Sequence, residues 1–279
     1  MLFRSAYYME NVLKNQLYSS KISQLTDLFP GDIGEFFRHN FTRIFRKVGA
    51  DLYKKLFGCA IAAPSPLPVS FISYILQKEN SDLDEQEVID AFSTFLVVKT
   101  SDQTFAFLHS LIPSWLTDKK KALARLSVDR NKGGRYFRDI ISEVLSDAIA
   151  NQQGECPSSM ERDVLEYCDQ IGVRLLCDYC DNDSLKVVFS YLANYQVIAR
   201  RLKKKGIEIY SIIGDVKCAM GQYGFANEKK EILKEICLFL ESESNVHVLL
   251  QSPHLLHCCL QEASKTVQEN LVPDRKSVV

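Results

Sequence analysis

The sequence predicts a mainly α-helical protein that carries one small β element. Apolar residues recur at steps of three and four over most of the chain, which is the spacing of one helix face. Residues 95–99 and 104–108 are two short β-prone runs, and the polar segment between them predicts a hairpin turn. Of the 279 residues, 46% are hydrophobic and 25% charged, which is typical of a globular protein with a sizeable core.

Charge and cysteine content narrow the class of protein. The net charge of −1 gives no electrostatic reason to expect nucleic acid or an anionic membrane as a partner. No apolar run approaches the ~18 residues that a membrane span needs, and the N-terminus turns polar too early for a signal peptide. The nine cysteines, an odd number, fit reduced thiols better than a disulfide framework. We therefore expect a cytoplasmic protein.

The helices before the hairpin follow from apolar spacing and from proline and glycine positions. Pro30-Gly31 predicts a turn, and Pro64 and Pro66 end the third helix. Pro68 suits the first turn of the next helix. The predicted helices cover residues 1–18, 33–48, 51–63, 69–77 and 81–93. Three helices followed by a two-stranded wing is the arrangement of a winged helix.

His109 follows the second predicted strand directly. A helix with one apolar stripe comes next, and it contains Trp115, the single tryptophan of the chain. This helix closes the predicted module. A lone histidine at a strand-to-helix junction is ordinarily structural, so a functional role for His109 depends on the surrounding pattern.

Beyond residue 130 the strand signal disappears. The clearest linker signal lies at 152–157. Asn182 or Asp183 is expected to cap the N-terminus of the helix predicted at 185–192, and Gly206 suits the C-terminal cap of the helix that runs up to 205. Helices are predicted at 136–151, 160–178, 185–192, up to 205, at 227–241 and at 253–268. No repeat of fixed period occurs, so a regular solenoid is not predicted. The predicted domains are 1–48, 49–130 and 131–279, the last a helical arm of antiparallel helix pairs.

No catalytic motif appears in the sequence. A P-loop needs glycine amides around the phosphates and a Lys-Ser or Lys-Thr pair, and none of the twelve glycines lies in such a frame. The five histidines lie in no nucleophile-elbow or metallohydrolase pattern. We therefore predict that this chain is not an enzyme and does not hydrolyse ATP.

Two further groups of residues have the chemistry of a metal site or a DNA-binding surface. Cys177 and Cys180 form a CxxC that His254 or His257 could complete as a zinc site, but the spacing fits no zinc finger, and cysteine also serves as a small hydrophobe. No metal site is predicted. The basic runs 119–121 and 200–205 suggest DNA, which winged helices often bind. The presumed recognition helix, however, carries four carboxylates that would repel phosphate, at Asp84, Glu85, Glu87 and Asp90.

Several segments resemble STAND-class NTPases, the signalling ATPases with NACHT or NB-ARC modules. LHSLIPSWLTDK (108–119) resembles the end of their winged-helix domain, and APSPLPVSFISYIL (63–76) resembles its beginning. Residues 3–41 resemble the lid that follows the ATPase core. Overall, the chain most resembles NACHT proteins with TANC-like lid and winged-helix segments. Residues 187–198 resemble the helical arm of apoptotic members.

The resemblance implies a role for one residue. In the family the signature histidine contacts the β-phosphate of ADP and holds the closed, inactive state, and His109 matches it. Ser110 stands where an acidic residue often sits. The Walker and sensor segments are absent, so ADP or ATP is implied for an intact parent and no cofactor for this chain. A chain that starts within the lid is expected to be a truncated gene model, a split gene or a degenerate paralogue.

The expected function is therefore that of a non-catalytic regulatory and coupling segment. It would link the nucleotide state of an ATPase core to a C-terminal sensor with WD, ankyrin or TPR repeats, and a parent of this kind can oligomerise. One alternative is a stand-alone helical scaffold for protein interactions. A weaker alternative is a DNA-binding winged helix. The expected partners are proteins, with neither nucleic acid nor membrane among them.

Overall fold

The computed structural model describes residues 33–99, 103–150, 159–203, 208–252, 255–261 and 263–271. It is mainly helical with one small antiparallel sheet, which confirms the predicted fold class. The chain divides into two compact units, an N-terminal unit (residues 1–134) and a C-terminal unit (residues 135–279). The helix predicted at 1–18, the turn Pro30-Gly31, the linker 152–157 and the cap Gly206 lie outside the described residues. The boundaries predicted at 48 and 130 stay predictions.

The N-terminal unit is built from short helices around a sheet. In its described residues the helices are α1 (Ile33–Val48), α2 (Ala50–Ala62), α3 (Ser70–Lys78), α4 (Glu85–Phe92) and α5 (Leu111–Thr117). A longer helix, α6 (Arg130–Ala150), contains the division between the units. Asp84 begins α4 as its N-cap, because its Oδ1 accepts hydrogen bonds from the backbone N–H groups of Gln86 (2.9 Å) and Glu87 (3.3 Å).

The sheet has three strands, β1 (Leu67–Pro68), β2 (Leu96–Lys99) and β3 (Thr104–Phe107). β3 lies in the middle and is antiparallel to both neighbours. The order α2, β1, α3, α4, β2, β3, with β3 between the other strands, is the winged-helix arrangement. The predicted hairpin is therefore confirmed, and β1 is an addition to it. A proline is tolerated in β1 because that strand lies at the sheet edge.

Aromatic rings form the core of the N-terminal unit. The ring of Phe41 on α1 stacks on Phe95 with centroids 4.0 Å apart and on Trp115 with centroids 5.1 Å apart. Phe41 also meets Phe57 of α2 edge to face at 5.4 Å. Such pairs contribute about 0.5–1.5 kcal/mol each beyond the apolar area that they bury. α1 thus shares one core with the elements of the winged helix.

Two glycines let helices α2 and α6 approach backbone to backbone. A Cβ atom at Gly58 would lie 2.7 Å from the Cα of Gly133, and one at Gly133 would lie 2.5 Å from the Cα of Gly58. No side chain larger than hydrogen fits at either position without a shift of the backbone. The hydroxyl of Tyr53 also donates to the carbonyl of Leu126 (3.1 Å), which anchors the segment before α6.

The C-terminal unit has no strand among the residues that the structure describes. Its helices, after the part of α6 that it contains, are α7 (Ser159–Tyr179), α8 (Asn182–Leu192), α9 (Tyr195–Lys203), α10 (Glu208–Met220), α11 (Asn227–Glu241), α12 (Glu243–Gln251), α13 (Leu256–Gln261) and α14 (Lys265–Leu271). α10 is the central helix and packs against α7, α8, α9, α11 and α12. The single helix predicted over 253–268 is replaced by the two short helices α13 and α14.

Asp181 is the N-cap of α8, so the prediction of Asn182 or Asp183 is wrong by one or two residues. The Asp181 carboxylate accepts hydrogen bonds from the backbone N–H of Ser184 (2.9 Å) and from its hydroxyl (2.8 Å). Arg138 lies 3.2 Å from the same carboxylate. The backbone N–H of Ser184 is the main reason that the pKa of Asp181 is lowered, and Arg138 adds to the effect.

In the described part of the chain, every helix is too short or too polar to cross a lipid bilayer.

Candidate functional site

His109 lies at the corner between β3 and α5, where the sequence places it. Its side chain is exposed, and its Nδ1 accepts a hydrogen bond from the backbone N–H of Leu111 at 3.1 Å. Because Nδ1 accepts, the proton of the neutral imidazole is on Nε2. This hydrogen bond orients the ring, which can donate one further hydrogen bond through Nε2.

The backbone on both sides of His109 is fixed by hydrogen bonds. The N–H of Leu108 donates to the carbonyl of Phe95 (2.9 Å), and the carbonyl of His109 accepts from the N–H of Ile112 (3.1 Å). Phe105 and Ile112 are buried on either side of the corner. The position of the imidazole is thus set by the hairpin and by the first turn of α5.

A depression of about 480 Å³ lies beside α5 in the N-terminal unit. Phe37 and Trp115 supply aromatic surface, and Arg38, Lys120 and Lys121 supply positive charge. Lys121 also pairs with Asp118 at 3.6 Å. His109 does not line this depression, so the structure does not bring the histidine and these cations into one pocket.

A second depression, about 670 Å³ in volume, runs along α1 and has a strongly basic lining. It is lined by Arg38, His39, Thr42, Arg43, Arg46 and Lys47. Sequence reasoning missed this surface, although the steps of four between Arg38, Thr42 and Arg46 place them on one helix face. Cationic side chains in this arrangement suit phosphate or carboxylate groups.

The carboxylates of α4 are present as predicted. Asp84, Glu87 and Asp90 are exposed, and Glu85 accepts a hydrogen bond from the hydroxyl of Ser73. The helix that a DNA-binding winged helix would place in the major groove therefore has an acidic surface, which opposes the approach of phosphates.

The basic run that starts at Arg200 has partners that the sequence did not indicate. Arg201 is only 1% exposed, and its Nη2 lies 2.8 Å from Oδ2 of Asp215, which is also 1% exposed. Arg200 pairs with the buried Asp169 at 2.8 Å. Carboxylates of α7 and α10 therefore bind the first two arginines of this run.

The pair Arg201–Asp215 is incompletely satisfied. Arg201 also donates to the hydroxyl of Ser211 (3.2 Å), but its Nε and Nη1 have no hydrogen-bond partner. Burial raises the pKa of the Asp215 carboxyl, although Arg201 and Arg174 act in the opposite direction. The guanidinium stays protonated in proteins, so a full positive charge is buried in this unit.

The cysteines and histidines considered for zinc do not form a metal site in the described residues, where no group of three or more His, Cys, Asp or Glu side chains is arranged to hold a metal ion. Cys177 is buried, whereas Cys180 and Cys258 are exposed. His254 and the side chain of His257 lie outside the described residues.

No family model, no curated protein and no solved structure matches the chain. The resemblance to STAND-class NTPases therefore stays a prediction that depends on the segments quoted above.

Proposed function

We propose that this chain is the non-catalytic regulatory and coupling segment of a STAND-type signalling NTPase that acts in the cytoplasm. The observation that carries the proposal is the geometry of His109. An exposed imidazole, oriented by the first turn of α5, lies at the corner of a winged helix, and its Nε2–H is available as a donor. This is the place where the family has its nucleotide-sensing histidine.

The corner between β3 and α5 offers ADP one side-chain hydrogen-bond donor, the Nε2–H of His109. A single imidazole N–H can donate one hydrogen bond to a phosphate oxygen, and that is the contact that the resemblance assigns to His109. The sequence has no P-loop to hold the remaining phosphate oxygens. His109 therefore fits the role of one contact made to a nucleotide that a separate ATPase core holds.

In the proposed mechanism, this hydrogen bond keeps the winged helix docked on the ATPase core. A hydrogen bond to a charged group contributes about 1.5–3 kcal/mol, which changes an equilibrium roughly 10- to 150-fold. While His109 makes the contact, the winged helix stays docked on the core. When the contact is lost, the winged helix rotates as a rigid body. The helices of the C-terminal unit then move the sensor or scaffold domain that they carry.

The first test is the full-length transcript that contains this reading frame. We expect an in-frame segment upstream of Met1 that encodes GxxxxGK[ST]. A transcript without that segment would favour the alternative function, a stand-alone helical scaffold for protein interactions.

The second test uses the protein encoded by the full-length transcript. After purification and acid denaturation, the released ADP is measured for the wild type, His109→Ala and His247→Ala. His247 is the matched control, because it is also exposed but lies on α12 in the C-terminal unit. We expect His109→Ala to weaken ADP retention about 10- to 150-fold and to raise spontaneous activation. Unchanged retention and signalling in His109→Ala would show that the assignment of His109 is wrong.

A further inference from the structure

Two exposed leucines line the depression beside α5. Leu111, the first residue of α5, is 53% exposed, and Leu123, which follows this helix along the chain, is 44% exposed. Phe37 and Trp115 are buried and line the same depression. One exposed leucine is ordinary on a protein surface. Two leucines and two aromatic rings on one depression form an apolar patch of the kind found at interaction sites.

The depression beside α5 also carries positive charge. Lys120 and Lys121 line it and are exposed, and Lys121 pairs with Asp118 at 3.6 Å. The third cation is Arg38, an exposed side chain whose Nε donates to the carbonyl of Gly34 (3.2 Å). Apolar side chains and cations therefore share one concave surface.

Arg38 connects this depression to the basic depression along α1, because it lines both. The sequence of α1 contains four cationic residues and one carboxylate, Glu35, although the whole chain has a net charge of −1. The cationic residues are Arg38, Arg43, Arg46 and Lys47, and all four line the basic depression. From residue 38 to residue 46 they extend about 12 Å along the helix, at about 1.5 Å per residue.

We propose that this continuous surface, made of the depression beside α5 and the basic depression along α1, binds an acidic, amphipathic peptide segment of a partner protein. Leu111 and Leu123 contact the apolar side chains of the peptide, and the cations of α1 contact its carboxylates. Neither His109 nor a nucleotide takes part in this binding, since His109 lines neither depression.

The exposed leucines favour a peptide over a phosphate compound as the ligand. Both carry negative charge that complements α1, but a phosphate group has no apolar surface to bury against Leu111 and Leu123. Exposed ion pairs are weak and are screened by salt, so the cations alone would give weak, salt-sensitive binding. Burial of the leucines adds a contribution that salt does not screen.

The first experiment is a selection of random dodecapeptides, displayed on phage, against the immobilised full chain. The wild type and the double variant Arg46→Glu with Lys47→Glu are used in parallel. We expect peptides enriched on the wild type to combine Asp or Glu with Leu, Ile or Phe, and we expect no such enrichment on the double variant. Arg43 is left unchanged, because it donates a hydrogen bond to the hydroxyl of Thr94 (3.0 Å).

The second experiment measures the affinity of the most enriched peptide, labelled with fluorescein, by fluorescence anisotropy. We expect the double variant to bind it about tenfold more weakly or worse, because attraction is replaced by repulsion. Leu111→Ser should bind it about 3- to 10-fold more weakly, because the half-exposed side chain loses the part of its burial that the peptide supplies.

The matched controls are Lys54→Glu on α2 and Val97→Ser on β2. Both residues are exposed and lie in the N-terminal unit, and neither lines either depression. Each control should change the affinity by no more than about twofold. Far-UV circular dichroism of every variant checks that the fold is kept.

Four results would overturn the proposal. They are the absence of enriched peptides, enriched peptides without acidic residues, equal affinity of the wild type and Leu111→Ser, and displacement of the peptide by inorganic triphosphate from both of these proteins alike. The last two would identify a site for anions only. Self-association of the wild type in sedimentation that disappears in the double variant would identify a second copy of the chain as the ligand, and would also overturn the proposal.

Discussion

Asp215→Asn is expected to destabilise the C-terminal unit more than any exposed charge substitution does. The change removes the negative charge beside Arg201 and keeps the size of the side chain. Arg201 is 1% exposed, and its Nε and Nη1 already lack hydrogen-bond partners. The guanidinium cannot lose its proton, so the variant buries a positive charge without the carboxylate that lies 2.8 Å away in the wild type.

The size of the expected loss in stability follows from the burial of both Arg201 and Asp215. Removing one member of a buried ion pair costs about 3–5 kcal/mol, because the remaining charge stays out of water. Asp215 is also approached by Arg174, whose Nε lies 3.4 Å from Oδ1, but that side chain is 61% exposed and can turn to solvent. We therefore assign the loss mainly to Arg201. A loss of this size lowers the folding equilibrium constant roughly 100- to 5,000-fold.

The assay is urea denaturation followed by far-UV circular dichroism, with the free energy of unfolding obtained by linear extrapolation. The control is Asp183→Asn, because Asp183 is 90% exposed and pairs with Lys186 at 2.9 Å in the same unit. An exposed pair contributes only about 0–1 kcal/mol. The double replacement Arg201→Met with Asp215→Leu should recover most of the loss, since an apolar pair leaves no buried charge. If Asp215→Asn cost no more than Asp183→Asn, the assignment of a buried charge to Arg201 would be refuted.

Two further variants test local features, each by urea denaturation. Gly58→Ala should lower the free energy of unfolding by about 1–3 kcal/mol, because the new Cβ would lie 2.7 Å from the backbone of Gly133. The control is Gly214→Ala, whose Cβ would lie 3.5 Å from Arg174 and which should be neutral or stabilise by up to about 1 kcal/mol. Equal effects of the two substitutions would contradict the close approach of α2 and α6. Asp181→Ala should cost about 1 kcal/mol at neutral pH through loss of the α8 N-cap. The pKa of Asp181 is lower in the folded state than in the unfolded state, so the ionised carboxylate stabilises the fold above the unfolded pKa of about 3.9. This stabilisation is lost as the pH falls through the folded-state pKa. The difference between the wild type and Asp181→Ala should therefore narrow below about pH 4, and a difference that grew on acidification would contradict this sign.

The elements that the sequence predicts well are those with a local cause. The hairpin follows from two short β-prone runs around a polar turn, and the helix at 227–241 follows from its apolar spacing. β1 was not predicted, because a strand of two residues has no periodicity and Pro68 suggested a helix start. Its pairing with β3 is a contact between distant segments, Leu67 with Phe105.

The candidate site can be predicted only in part, because some of its contacts also join residues that are distant in the sequence. The exposure of His109 and its hydrogen bond to Leu111 follow from a strand that ends one turn before a helix. The partners of Arg200 and Arg201 do not follow from the sequence, because Asp169 and Asp215 lie 31 and 14 residues away on other helices. A run of basic residues looks the same in the sequence whether its side chains point to solvent or to buried carboxylates.

The aromatic stack has a spectroscopic consequence. Trp115 is the single tryptophan of the chain, it lies in the N-terminal unit, and it is 6% exposed against the ring of Phe41. Selective excitation of indole therefore reports on the N-terminal unit alone, because the C-terminal unit contains no such chromophore. A change in the intensity or wavelength of the tryptophan fluorescence on unfolding would record the separation of the stacked rings, while circular dichroism records the helices of both units. Comparing the two signals in one titration shows whether the units unfold together, without any need to cut the chain or to add a label.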